Sequence, residues 1–121
     1  MITEDYVSYG VAELLKEKGF DEECYQKYDG EGYLSFNHVG YINAEKPNED
    51  FSALAPTHQM AMKWLRKVHK VFFCVHPDYP ISKDYLVEFY DEGRPSGCFG
   101  NYPTYEKAVE AALKYSLENL I

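Results

Sequence analysis

Apolar residues recur at two different periods along this chain, and the change of period marks out its elements. From Thr3 to Phe20 the segment TEDYVSYGVAELLKEKGF places Val7, Val11, Leu14 and Leu15 on one stripe at helical spacing. Thr3 is a candidate cap, with Glu4 and Asp5 suited to the positive end of the helix dipole. Lys16 and Lys18 fall in the last turn. Gly19 can close the helix in the left-handed conformation, with Phe20 folding back onto it. Aromatic runs over Cys24–Tyr28 and Tyr33–Phe36 flank the turn DGEG and predict a hairpin. The polar stretch from Asn37 to Leu54 reads as a long loop with a short edge strand over Val39–Ile42.

Helical spacing returns near Pro56 or Thr57. Met60, Ala61, Trp64, Leu65 and Val68 form a predicted core face, with Trp64 in the interior. Lys63, Arg66, Lys67 and Lys70 stand at i, i+3, i+4 and i+7 and make a basic stripe on the other side. KVFFCVHP is a nearly continuous apolar run that suits a central strand ended by Pro77. PDYPISK is a connection, DYLVEFYDEG a strand pairing back, and GRPSGCFGNYP a loop. Thr104 caps a final helix whose apolar stripe is Tyr105, Ala108, Val109, Ala112, Leu113, Leu117 and Leu120. The expected fold class is α+β, one domain over residues 1–121, in the order α-β-β-α-β-β-α. A mainly antiparallel four-stranded sheet is packed by three helices.

Charge sharpens this picture. The chain of 121 residues carries 12 Lys and Arg against 20 Asp and Glu, a formal net charge of −8. That balance argues against general nucleic-acid binding, where affinity comes largely from Lys and Arg. The charge is segregated. Residues 1–50 hold 4 basic and 12 acidic side chains, whereas residues 51–83 hold 5 basic and 1 acidic. The basic stripe is therefore an island in an acidic chain. It is the candidate binding surface, for another protein or for a second copy of this chain as a homodimer.

Candidate chemistry is sparse. The groups able to ligate a metal are Cys24, Cys74, Cys98, His38, His58, His69 and His76, and none form the close pairs that zinc sites use. Cys74 and His76 alternate onto one strand face, which is half a site at most. Three cysteines without paired spacing oppose a disulfide framework. Cys98, between glycines, is the most accessible thiol, but nothing beside it in sequence would activate it. Neither a cofactor motif nor a catalytic triad is present, so no metal, cofactor or catalytic residue is expected. The segment MITEDYVSYG lacks a secretion signal, and no run approaches a membrane span, so a cytoplasmic protein with no membrane partner is expected.

Three segments, LLKEKGFDE, APTHQMAMKWLRKVHK and TYEKAVEAALKYSLENLI, resemble small proteins of Bacteroides-type gut bacteria and their phages and mobile elements. The resemblance spans most of the chain and is specific at the three helices. It implies a phage- or prophage-linked setting. That family has no assigned activity, so the resemblance transfers no functional residue. The combined expectation is a small non-enzymatic accessory protein acting by protein–protein binding. Two rivals are an acidic DNA mimic, motivated by residues 1–50, and an enzyme with an unfamiliar Cys/His site. The latter needs Cys98, a histidine and a carboxylate gathered in a deep pocket.

Overall fold

A computed structural model describes residues 2–36 and 52–121. The edge strand expected at Val39–Ile42 and the candidate ligand His38 lie outside the described residues. The chain divides into two compact units, Met1–Ala61 and Met62–Ile121.

In the first unit, helix α1 spans Tyr9–Glu17. It starts well after the expected Thr3, because the preceding backbone is committed elsewhere. Tyr6 forms an antiparallel bridge with Thr57. The Val7 amide donates to the Pro56 carbonyl, and the His58 amide to the Asp5 carbonyl. Residues held this way cannot donate and accept within a helix. Ser8 is the actual cap, its Oγ accepting from the Val11 amide. Val7 is nevertheless fully buried with Val11, Ala12 and Leu15. The other end follows expectation. The Phe20 amide returns to the Leu15 carbonyl and the Gly19 amide to the Lys16 carbonyl, with Gly19 at φ +89°. This reciprocal pair satisfies two carbonyls that the helix leaves open.

Strands β1 (Gln26–Tyr28), β2 (Leu34–Phe36) and β3 (Ala53–Leu54) form an antiparallel sheet in the order β2-β1-β3. The expected hairpin is present. Asp29 organises its turn, one carboxylate oxygen accepting from the Glu31 and Tyr33 amides. These bonds, led by the one from Tyr33, hold the Asp29 carboxyl below the ordinary range. Strand β3 falls inside the stretch read as a loop. Two residues are too few for any period to show.

Helix α2 (His58–Val68) runs across the division between the units. It begins one residue after Thr57, whose Oγ1 accepts from the Met60 amide. Ala61, Trp64 and Leu65 are buried as expected, but Met60 and Val68 are 40% and 55% exposed and leave the core face. Met62 and His58 are buried instead. The buried arc is thus rotated from the one read in the sequence.

The second unit holds β4 (Phe72–Pro77), β5 (Tyr85–Asp91) and β6 (Arg94–Tyr102), an antiparallel sheet in the order β4-β5-β6. Among the described residues, two three-stranded sheets therefore replace the expected single four-stranded sheet, and the order is α-β-β-β-α-β-β-β-α. Strand β6 accounts for much of the difference. Its sequence RPSGCFGNY has only Phe99 and Tyr102 as strand-favouring residues among Gly, Pro and Asn that disfavour strands, yet it pairs along the length of β5. A two-residue turn joins them, with Glu92 and Gly93 both at positive φ and Asp91 opposite Arg94. That geometry matches the right-handed twist of the paired strands. Strand β4 lies at an edge and β5 is central, the reverse of what the apolar run in β4 suggests.

Helix α3 (Tyr105–Asn119) is capped by Thr104, whose Oγ1 accepts from the Lys107 amide. It packs against all three strands of this sheet. Ala108, Val109, Ala112, Leu113 and Leu117 are fully buried, while Leu120 is exposed. Each large apolar side chain so buried contributes about 1.5–3 kcal/mol relative to exposure, so α3 supplies a major share of this unit's core. Tyr115 packs on Phe89 and Phe99, extending the contact beyond the buried stripe.

Candidate binding surfaces

The strand register builds a polar cluster on one face of the second sheet. Cys74 pairs with Glu88, and Glu88 with Cys98, so the three stand in a row across β4, β5 and β6. His76 and Tyr90 lie two residues along from Cys74 and Glu88, and alternation brings them to the same face. The helix α3 side is the other face, where Phe89 and Phe99 meet Tyr115. Diagonal neighbours then join. His76 Nε2 lies 3.2 Å from Glu88 Oε2, and Cys74 Sγ lies 3.6 Å from the Tyr90 hydroxyl.

Electrostatics keep the phenol neutral. The bond to Cys74, followed by partial burial and the nearby Cys74, Glu88 and Cys98, pushes the Tyr90 hydroxyl up to about 12. The cluster can therefore offer a phenol, a thiol and an imidazole–carboxylate pair to a partner. Its setting is open: Cys98 is exposed, and the His76 side chain keeps 41% of its accessibility. The thiols of Cys74 and Cys98 are free. They stand two strands apart, about 10 Å, which is beyond disulfide reach.

The sequence reading found half of this cluster, the shared face of Cys74 and His76. It placed Cys98 in a loop, whereas Cys98 lies within β6. The contributions of Glu88 and Tyr90 depend on register, which one strand's pattern does not contain. Among the described residues, no three His, Cys, Asp or Glu side chains converge where they could hold a metal ion.

The basic stripe lies on α2 and just beyond it. At 100° per residue, Lys63, Arg66 and Lys67 occupy an arc of about 100° opposite Leu65. Lys63 and Lys67 are exposed and Arg66 is half-buried. Lys70 is exposed but past the helix end, in the left-handed region at φ 58°, so it is not a helical i+7 position. None of the four forms an ion pair with another described residue. Trp64 is buried as expected and meets the His69 ring edge-on at 4.7 Å. His69 Nε2 is buried without a hydrogen-bond partner among the described residues.

The first unit contains an open cleft of about 250 Å³. Glu4, Tyr6, Glu23, Tyr25 and Met60 line it together with Cys24. The Cys24 thiol donates to the Gln26 carbonyl at 3.2 Å, and burial pushes its pKa up. The sequence reading missed this cleft because it placed Glu4 and Tyr6 inside a helix. Only their extended backbone, bridged at Thr57, brings them to the wall beside Cys24.

Among the described residues, no helix is long and apolar enough to cross a membrane. Comparison with protein-family models, with curated proteins and with solved structures finds no match.

Proposed function

We propose that this protein is a non-enzymatic binding module whose basic stripe docks on the acidic surface of another protein molecule. The partner we commit to is a second copy of this chain. One observation carries the reading: Lys63, Arg66, Lys67 and Lys70 form no ion pair with any described residue. The same chain holds 12 acidic against 4 basic side chains in residues 1–50, which is the complementary charge.

Magnitudes set the kind of association. An exposed ion pair contributes about 0–1 kcal/mol, so four cations yield weak, salt-sensitive binding. Nucleic acid is the poorer partner, since the stripe would attract phosphates against a net charge of −8. Bond-making chemistry is also the poorer reading. Enzymes lower their barriers chiefly with donors fixed in a water-excluded site, and Cys74, His76, Glu88 and Cys98 stand on an open sheet face.

Zero-length carbodiimide cross-linking of mixed ¹⁵N-labelled and unlabelled protein tests the contact. The reading expects mixed-isotope links from Lys63, Lys67 or Lys70 to carboxylates of the other copy. Links confined to single-isotope species would contradict it.

A further inference from the structure

The cleft of the first unit has a chemistry of its own, separate from the basic stripe. Its rim is formed by the exposed residues Glu4, Glu23, Tyr25 and Met60, and its floor by the buried Cys24 and Pro56. Two carboxylates line it, and no Lys, Arg or His does. Tyr6, Tyr25, Met60, Gln26 and Thr57 complete the lining, which is more apolar than polar.

The nearby start of α2 does not reverse this sign. A helix N-terminus carries about half a positive charge, against two full negative ones. Two of its donors are also engaged already, the His58 amide by the Asp5 carbonyl and the Met60 amide by Thr57 Oγ1. The floor adds no charge, because burial keeps the Cys24 thiol protonated.

From this combination we infer that the cleft binds an ammonium or guanidinium group carried on a hydrocarbon stem. The carboxylates take the charged head, and the rings of Tyr6 and Tyr25 with Met60 take the stem. Aromatic rings also attract a cation through their quadrupole. At about 250 Å³ the cleft is smaller than the ~300–1,000 Å³ of typical ligand pockets, so it suits one cationic side chain or a small alkylamine.

Amide chemical-shift titrations of the full chain test this with four probes. Three are cations: N-acetyl-arginine methylamide, N-acetyl-lysine methylamide and butylammonium. The fourth, N-acetyl-norleucine methylamide, is a neutral match for the lysine stem. The expected result is saturable shifts at Cys24, Tyr25 and Thr57 with cations and not with the norleucine compound. Affinity should fall about tenfold or more in the Glu4→Gln/Glu23→Gln variant, whose changes are at exposed positions. Binding of the amides but not butylammonium assigns the site to a peptide side chain; comparable binding of all three assigns it to free amines as well. Absence of saturable shifts, equal binding of the norleucine compound, or unchanged affinity in the double variant would overturn the inference.

Discussion

The Tyr28 hydroxyl donates to the backbone carbonyl of Val7 at 2.7 Å, a bond buried from solvent. It ties the strand that opens the hairpin to the segment that enters α1. The Val7 amide is engaged separately, by the Pro56 carbonyl. Tyr28→Phe would remove the donor and leave a buried acceptor without its partner. The expected cost is about 1–3 kcal/mol, read as a lower urea midpoint with an unchanged slope. A midpoint within error of the parent would show that this bond does not anchor the segment.

A second tie in the same unit responds to acid. Ser52 Oγ donates to Glu13 Oε1 at 2.6 Å. That bond first, then a bond from Tyr9 and the charge of Lys16, holds the Glu13 carboxyl below its ordinary value. A depressed carboxyl contributes stability above its unfolded-state pKa and loses it as pH falls through the folded-state value. Glu13→Gln should therefore cost at most about 1 kcal/mol near neutrality, because the group is partly exposed. The gap between parent and variant should close in acid below the ordinary glutamate range. Urea midpoints at neutral and acidic pH measure it, and a gap that widens in acid would contradict the sign.

Tyr90 reports on the open sheet face. Its hydroxyl, pushed up to about 12 chiefly by the bond to Cys74, should stay protonated where ordinary tyrosines ionise. The difference between ultraviolet titrations of the parent and Tyr90→Phe isolates its signal among the 12 tyrosines of the chain. Cys74→Ala should move that difference curve to lower pH. A curve insensitive to Cys74 would place the cause elsewhere.

Gly100 is required by the edge strand it sits in. It has φ +152°, and a Cβ there would lie 2.8 Å from the Tyr85 carbonyl oxygen and 3.0 Å from Leu86 Cα. Both are backbone atoms of the paired strand, next to the register shift between Tyr85 and Leu86. Gly100→Ala should cost about 1–3 kcal/mol. Gly97→Ala, in the same strand with nothing within 4 Å of the added carbon, should be near neutral. Equal effects in thermal unfolding would refute the steric argument.

Legibility in the sequence followed the source of each element's order. The Gly19 and Phe20 end of α1 and the Thr104 start of α3 were readable because local caps determine them. Strand β6 was not, because its order comes from pairing to β5 rather than from its own Gly, Pro and Ser residues. The start of α1 failed for a related reason, since the bridge from Tyr6 to Thr57 spans a gap in sequence that no local pattern crosses. The two-residue period put Cys74 beside His76, but joining them to Tyr90 and Glu88 needed the β4–β5 register. The charge of the basic stripe was legible; the position of Lys70 beyond the helix end was not.

Self-association through the basic stripe is the central claim, and light scattering at low and high salt measures it most directly. At low salt and high protein concentration the account expects a mass approaching twice the 14.0 kDa of the chain, falling to the single-chain value as salt screens the contact. Lys63→Glu/Lys67→Glu should give the single-chain mass under both conditions. A parent protein that remains at 14.0 kDa at low and high salt alike would contradict the claim.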